Sequence, residues 1–553
     1  MTRWLPTALA FLLLAGCVQA AQDLPTSKPT TAEVQVVTQP LASDHSCSDA
    51  FVVHDLDHIT LASTSNVTLY ESNGSGVGIN DLDNDGDLDI VLANLAGPNS
   101  ILWNEGDLRF RTQQLSHGAS RAVNIVDVDG DGWQDIVFTR RFEKPTYWHN
   151  RGASGQDRFD QGILPAVNNP FYSMDWGDVD GDGDLDMVAA SYDTELRKQQ
   201  GAIFEYRGNG VGAFVHLQQE EGFEAVRLAE QADALALALL DLDGDGRLDI
   251  LVGNDFDRPD YTWLRDGQGW TAFAPFAATS ENTMSIDAGD VDNDGDSEIF
   301  ATDMKPYRDD EEAMAAWMPL MEMMSHASAV TDTQIIENVL QVRGADGTFD
   351  NQAGARFADA TGWSWSSKFG DLDNDGFLDI YVVNGMIADG LLSHLPDNEL
   401  VEENLALRND GAGVFVAAPQ WGLGSTASGR GMTMADLDAD GDLDIVVNNL
   451  TTPAQLFENQ LCGGSSLQVD LRWPDTQNPY AIGAQLALQT DAGTLYRTVR
   501  VGSGYLSGDP SRIHFGLPAG AALQQLEVRW PDGSVSQIDL LEPGTLITVQ
   551  RRG

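Results

Sequence analysis

One nine-residue pattern of acids recurs seven times along the chain. The first copy supplies Asp81, Asp83, Asp85, Asp87 and Asp89, and the second Asp127, Asp129, Asp131, Trp133 and Asp135. The third supplies Asp178, Asp180, Asp182, Asp184 and Asp186, and the fourth Asp241, Asp243, Asp245, Arg247 and Asp249. The fifth holds Asp290, Asp292, Asp294, Asp296 and Glu298, and the sixth Asp371, Asp373, Asp375, Phe377 and Asp379. The seventh holds Asp436, Asp438, Asp440, Asp442 and Asp444. Carboxylates at alternate positions of a tight loop converge on one centre. An oxygen-only ligand set selects a hard cation, and a flexible set of six or seven oxygens selects calcium over magnesium.

The fixed and free positions support that chemistry. Positions one, three and five are Asp in every copy, position six is Gly, and position nine is acidic. Glycine lets the chain turn sharply at the sixth position. The seventh position varies, and Trp133, Arg247 and Phe377 replace Asp there. A residue that binds through its backbone carbonyl tolerates such variation. No Glu stands at the twelfth position and no helix pattern flanks the loops, so these are not EF-hands. A single loop of this kind could be a solvated acidic turn. Seven regular copies predict about seven structural calcium ions.

Other chemistry is poorly represented. The chain shows no Gly-rich phosphate loop, no zinc-spaced Cys/His cluster and no Gly-x-Ser-x-Gly elbow. His54 and His58 lie beside Asp55 and Asp57 and read as a surface pair. His514 sits in a strand pattern and reads as structural. Paired carboxylates for glycoside chemistry cannot be singled out among so many acids. No catalytic residues are therefore assigned.

The elements around the loops read as strands. Short apolar runs such as Ile90–Ala93, Ile136–Phe138 and Ile380–Val383 follow them, and turns such as Asn104-Glu105-Gly106 come after. Each repeat has room for about four strands, a sheet too small to bury its own faces. Closing the repeats into a ring removes that problem. The fold class is all-β: a seven-bladed β-propeller over residues 46–462 with calcium-binding loops, then a small antiparallel β domain over 463–553. Ring closure brings the segment near Phe51–Val53 beside Leu456–Phe457, and so permits a Cys47–Cys462 disulfide.

Between Asp290 and Asp371 lies an insertion, about residues 305–345. Acids at Asp309–Glu312 followed by apolar residues at helical spacing predict a helix there, with Pro319 kinking or ending it. Met314, Met318, Met321, Met323 and Met324 suggest packing onto the propeller more than a soft-metal site, since only His326 stands near.

The chain has 553 residues, with 85 acids against 31 bases and a net charge of −54. Such acidity argues against nucleic acid and anionic membrane partners. A hydrophobic fraction of 42% with 13 Trp argues against bulk disorder. The seven loops hold 32 of the 85 acids, so much of the charge reads as ligand rather than as a solubility device.

The N-terminus reads as an export signal: Arg3, then an apolar run from Leu9, then Gly16 and Cys17. Leu14-Ala15-Gly16-Cys17 resembles a lipobox, with lipidation at Cys17, so residues 1–17 form the signal and 18–45 a tether. Val18-Gln19-Ala20 offers a rival cleavage site. The expected location is an outer-membrane lipoprotein or a secreted protein, with membrane attachment only through lipid.

The loops and their glycine turns resemble FG-GAP or VCBS repeats, as in integrin alpha-chain propellers. Trp363-Ser364-Trp365, the loop from Asp371 and Asn384-Gly385 resemble bacterial members of the cartilage acidic protein family. Asn478–Ala484, Val501–Ser507, Arg512–Leu517 and Trp530–Gly533 are similar to the ASPIC/UnbV domain. Pro479 stands where that motif commonly has Arg. The resemblance implies a secreted or surface-attached calcium-binding protein with an unknown protein or glycan ligand. The function expected is a surface binding, adhesion or interaction scaffold. A polysaccharide-active enzyme on a propeller face, or an assembly factor for an exported partner, are the alternatives.

Overall fold

The computed structural model describes residues 30–42, 47–153, 155, 158–201, 210–256, 258–267, 269–325 and 333–552. Cys17, the rest of the export segment, residues 18–29 of the tether and His326 lie outside the described residues.

Each acidic nonapeptide is the turn of a β-hairpin. In the first, Val77–Asn80 pairs antiparallel with Asp89–Leu92, and Asn80 faces Asp89. The same register puts Val126 opposite Asp135, Gly177 opposite Asp186 and Leu240 opposite Asp249. It also puts Gly289 opposite Glu298, Gly370 opposite Asp379 and Ala435 opposite Asp444. The ninth-position acid is thus always the first residue of the second strand. The period-two pattern decides this, because the apolar residue after that acid must face the neighbouring sheet.

A third and a fourth strand complete each hairpin into a small antiparallel sheet that resembles a propeller blade. Pro98–Asn104 and Phe110–His117 complete the first. The last is completed from the other end of the chain, where Val52–Ile59 pairs with Pro453–Glu458 and Val53 faces Phe457. Beside this join Cys47 and Cys462 form a disulfide with Cα atoms 5.5 Å apart. First strands of successive sheets are neighbours. Val77–Asn80 lies against both Ser120–Val126 and Gly429–Ala435, so the series runs back on itself. Apolar residues fill the gaps between sheets: Ile79, Ile90 and Leu102 pack with Leu437, Val446 and Leu456 in one such layer.

The C-terminal segment forms two four-stranded sheets. One orders Val34–Pro40, Thr545–Arg551, Ser465–Arg472 and Ile513–Leu517. The other orders Thr494–Thr498, Gln485–Thr490, Leu523–Arg529 and Val535–Ile538. Leu467, Val469, Leu486, Leu488, Val528 and Trp530 are buried in their shared core. Val34–Pro40 corrects the tether reading of this stretch. It is an edge strand, with Val36 facing Val549, because alternate apolar residues let it cover an open sheet edge.

A hairpin at Gly502–Ser503 and Ser507–Gly508 leaves this domain and enters the space between the first strands. Gly504 and Ile286 exchange backbone hydrogen bonds there. The approach is close: a Cβ at Gly76 would stand 1.7 Å from the Leu506 carbonyl oxygen. Tyr505 at its tip is fully buried and donates to the Asn73 carbonyl at 2.8 Å.

The insertion contains helix Glu311–Ser325, which continues past Pro319 rather than ending there. Trp317 and Leu320 anchor it, and the Trp317 indole donates to Glu402 at 3.0 Å. The helix packs down as expected, but through Trp317 and Leu320: Met318, Met321 and Met323 are exposed and Met314 is half-buried. His58 is likewise buried rather than on the surface. It lies 2.9 Å from the Ser100 hydroxyl, and burial pushes its pKa down to about 4.

Candidate metal centres

The hairpin turns bring each set of acids together. In the first, second, third and fourth loops, three acids of each place oxygens within 4.8 Å of one another: Asp81, Asp83 and Asp85; Asp127, Asp129 and Asp135; Asp178, Asp180 and Asp186; Asp241, Asp243 and Asp249. These are clusters that suit a divalent cation.

Backbone N–H groups hold the first Asp of each loop. Asp85 and Gly86 donate to the two oxygens of Asp81 at 3.2 and 3.0 Å. Asp375 and Gly376 do the same to Asp371 at 3.0 and 2.8 Å, and Asp440 and Gly441 to Asp436 at 3.1 and 2.9 Å. Gly132 and Gly246 donate to Asp127 and Asp241, both at 2.8 Å, Gly183 to Asp178 at 3.1 Å, and Gly295 to Asp290 at 2.9 Å. The sixth glycine can do so because its φ is positive in every loop, for example +102° at Gly86 and +94° at Gly376.

The fifth acid fixes the seventh residue. Asp131, Asp245 and Asp375 accept the N–H of Trp133, Arg247 and Phe377 at 2.9, 2.9 and 3.0 Å. Asp87, Asp184, Asp296 and Asp442 are held likewise. The side chains there meet different neighbours: Trp133 lies beneath Arg158, Asp442 accepts from Asn374, and Arg247 turns back to donate to Asp245 of its own loop.

The ninth acid closes the loop. Leu82, Val128, Val179, Leu242, Val291, Leu372 and Leu437 donate their N–H to Asp89, Asp135, Asp186, Asp249, Glu298, Asp379 and Asp444. Burial dominates the electrostatics, and neighbouring carboxylates add to it. Asp89, Asp135, Asp186, Glu298 and Asp371 are pushed up to about 8, and Asp127 and Asp436 to about 7. Buried acids this close cannot all stay ionised without a cation.

Sequence reasoning missed the residues that tie one loop to the next. The side chain of Asn150 donates to Gln134 O in its own loop at 2.9 Å and to Leu82 O in the preceding loop at 2.8 Å. Asn104, Asn409 and Asn459 do the same to Leu437, Val291 and Leu372. The turn signal at Asn104 marked one of these positions but not its reach. His149 was also missed: its Nε2 lies 3.1 Å from Asp129.

The C-terminal domain sits on this face. Arg512 donates to Gly86 O at 3.0 Å, Tyr480 to Gly132 O at 3.0 Å, and His514 Nε2 lies 3.0 Å from Gly441 O. Gln468 hydrogen-bonds Asp436. Burial pushes the His514 pKa down to about 4, so it is neutral at pH 7.

The pattern described as FG-GAP-like repeat matches residues 81–138, 127–189, 241–301 and 398–447, and that described as ASPIC and UnbV matches 468–553. This chain joins an FG-GAP-repeat region to a C-terminal ASPIC/UnbV domain. It is distantly related to the cartilage acidic proteins. Cartilage acidic protein 1 of Mus musculus is 23% identical over 523 residues, covering 84% of this chain and 72% of that protein. The Homo sapiens protein is 23% identical over 535 residues, covering 84% and 70%. Among solved structures, BBS1N in complex with ARL6DN overlays with a TM-score of 0.40 at 10% identity, over 75% of this chain and 97% of that chain. The loop from Asp371 lies outside the FG-GAP matches but has the same hairpin and the same hydrogen bonds. In the ASPIC/UnbV domain, Pro479 accepts from the Trp473 N–H, so the departure from the family motif falls within a backbone turn.

Proposed function

We propose that this protein is an exported seven-bladed calcium-binding β-propeller that acts as a surface binding or adhesion scaffold. The observation that carries the reading is the repeated loop: seven nonapeptides in one hairpin register, with the same backbone donors on the first and ninth acids. Seven first strands that neighbour one another in a closed series support the blade count.

Each ion would be held by the side chains at positions one, three, five and nine and by the backbone carbonyl at seven. In the second loop these are Asp127, Asp129, Asp131, Trp133 and Asp135. Bound calcium supplies positive charge that offsets the repulsion among the acids, and its binding free energy becomes folding free energy. The chain's own residues do the rest: the backbone donors orient the carboxylates, and the asparagine straps hold neighbouring loops in register. The insertions, including the helix that exposes Met318, Met321 and Met323, then present a surface to a protein or glycan ligand.

The disulfide and the lipobox-like Leu14–Cys17 support export, with Cys17 as the lipid attachment point. No observation favours the polysaccharide-active or assembly-factor readings over the scaffold. Calorimetric melting after EDTA treatment, and again with calcium restored, tests the proposal. The Tm is expected to rise on calcium addition, and an unmoved Tm overturns the structural calcium. A glycan array and affinity capture with calcium-loaded protein then identify the ligand.

A further inference from the structure

The third strand of each small sheet sets one residue beside the loop. Trp148 pairs with Ile136 and Leu407 pairs with Ile380, so His149 and Arg408 hold the same place in the second and sixth sheets. Arg408 shows what that place reaches: it donates to the third-position acid, Asp373, at 2.9 Å and to the fifth, Asp375, at 3.4 Å. Trp103, Leu217, Leu264, Val342 and Glu458 stand there in the other five sheets. Of the seven, His149 alone offers a nitrogen lone pair to a metal. A guanidinium and an indole only donate.

In the second loop His149 Nε2 lies 3.1 Å from Asp129 Oδ2 and 3.6 Å from Asp131 Oδ2. Unlike Arg408, it makes a hydrogen bond to neither carboxylate. The other oxygen of each acid is held by the loop itself. Asp129 Oδ1 accepts from the Asp131 N–H at 3.3 Å, and Asp131 Oδ1 from the Trp133 N–H at 2.9 Å. Each acid thus turns one oxygen to the loop and one outward to the imidazole. One donor atom from each of the three residues lies within 4.8 Å of the others.

These separations suit one ion set among three donors. Atoms held about 2.0–2.2 Å from a tetrahedral centre stand about 3.3–3.6 Å apart, close to the two distances here. A hydrogen-bonded pair such as Arg408 makes would align the ring with one oxygen, and the ring aligns with none. Nε2 itself is covered, but the side chains of Asp129 and Asp131 are 46% and 38% exposed, so an ion reaches the three donors from solvent.

We propose that Asp129, Asp131 and His149 form a second, outer cation site on the second loop, and that it takes a zinc-class ion rather than calcium. Imidazole suits zinc and its first-row neighbours, whereas calcium takes oxygen ligands. Three protein donors leave the fourth tetrahedral position to water or to an incoming ligand. The site goes beyond the calcium reading above. It shares two acids with that inner centre, but its nitrogen donor comes from outside the loop, so the two readings fail separately.

The test is titration calorimetry of the full chain with zinc chloride, in saturating calcium and again in calcium-free buffer, for the parent, His149→Gln and His149→Phe. In calcium the parent is expected to bind one zinc ion per chain. Each variant is expected to bind that ion at least tenfold more weakly while keeping the calcium-dependent Tm of the parent. Cobalt in place of zinc reads the nitrogen donor: its visible absorption is expected to strengthen on the parent and not on either variant. Zinc affinity unchanged in both variants, zinc uptake abolished by saturating calcium, or a cobalt spectrum that is the same in parent and variants overturns the outer site. A Tm that ignores calcium overturns the inner calcium centre alone. The titration in calcium-free buffer then decides the outer site by the same tenfold difference between parent and variants.

Discussion

The hydroxyl of Tyr505, on the C-terminal hairpin, lies 2.7 Å from the hydroxyl of Tyr172, at the entry to the strand Ser173–Gly177. Two residues 333 positions apart in sequence thus meet in the space enclosed by the first strands. Around them Arg430 stacks on Trp365 at 4.4 Å, and the buried Arg121 pairs with Glu195 at 3.1 Å. The C-terminal domain is therefore part of the core that the blade-like sheets enclose and not an appendage.

Removing the Tyr505 ring tests that dependence. Tyr505→Ala deletes a fully buried aromatic side chain and is expected to cost about 3–5 kcal/mol. Tyr505→Phe keeps the ring, loses the bonds to Asn73 and Tyr172, and is expected to cost about 1–3 kcal/mol. Urea unfolding followed by tryptophan fluorescence reads both.

Asp83→Asn removes one of the proposed metal ligands from the first loop without deleting bulk. Burial and Asp85 hold the Asp83 carboxyl above the usual range. In EGTA the variant is expected to melt no lower than the parent, because repulsion is relieved. In calcium it is expected to melt lower and to bind about one ion fewer. Melting curves and metal analysis on the same samples check the opposite signs.

The metal-free protein should lose stability as pH rises. Carboxyls held near 8, such as Asp89 and Asp186, bind more protons in the folded chain than in the unfolded chain, where they titrate near 3.8. Between those values folding carries extra protons, so stability falls with rising pH. Calcium competes with the same protons, so its stabilising effect grows over the same window. Melting with EGTA is expected to give a higher Tm near about pH 5.5 than near about pH 8, with the gain from calcium larger at the higher pH.

Cys47→Ser with Cys462→Ser opens the staple between the two ends of the last sheet. The bond spans 415 residues of sequence, and its loss is expected to cost about 2–5 kcal/mol. Chemical unfolding of the variant, and of the parent with and without reductant, measures the loss.

Asn150→Ala cuts a strap between adjacent loops. Gln134 O then loses its donor and Leu82 O keeps only the longer bond from Arg158 Nη1 at 3.3 Å, at an expected cost of about 1–3 kcal/mol. The calcium affinity of the first and second loops is expected to fall together, as read by calorimetric titration.

The amino-acid sequence by itself determined the loops. The acidic pattern is local: Asp at positions one, three and five, glycine at six and an acid at nine specify a turn and its donors within nine residues. The strands beside them were legible for the same reason, since a period-two apolar run needs no distant partner to be recognised. The Cys47–Cys462 pairing followed from the repeat count and ring closure. Tertiary structure alone decided what lies far apart in the chain. Val34–Pro40 became an edge strand because Thr545–Arg551 offered an open edge, and nothing near residue 34 announces that edge. His58 became buried because Ser100 and the neighbouring sheet close over it. Asn150 became a strap because ring packing sets Leu82 within its reach. Tyr505 fills the centre for the same reason: a side chain's partners are set by how sheets stack, and stacking is a property of surfaces that only the folded chain brings together.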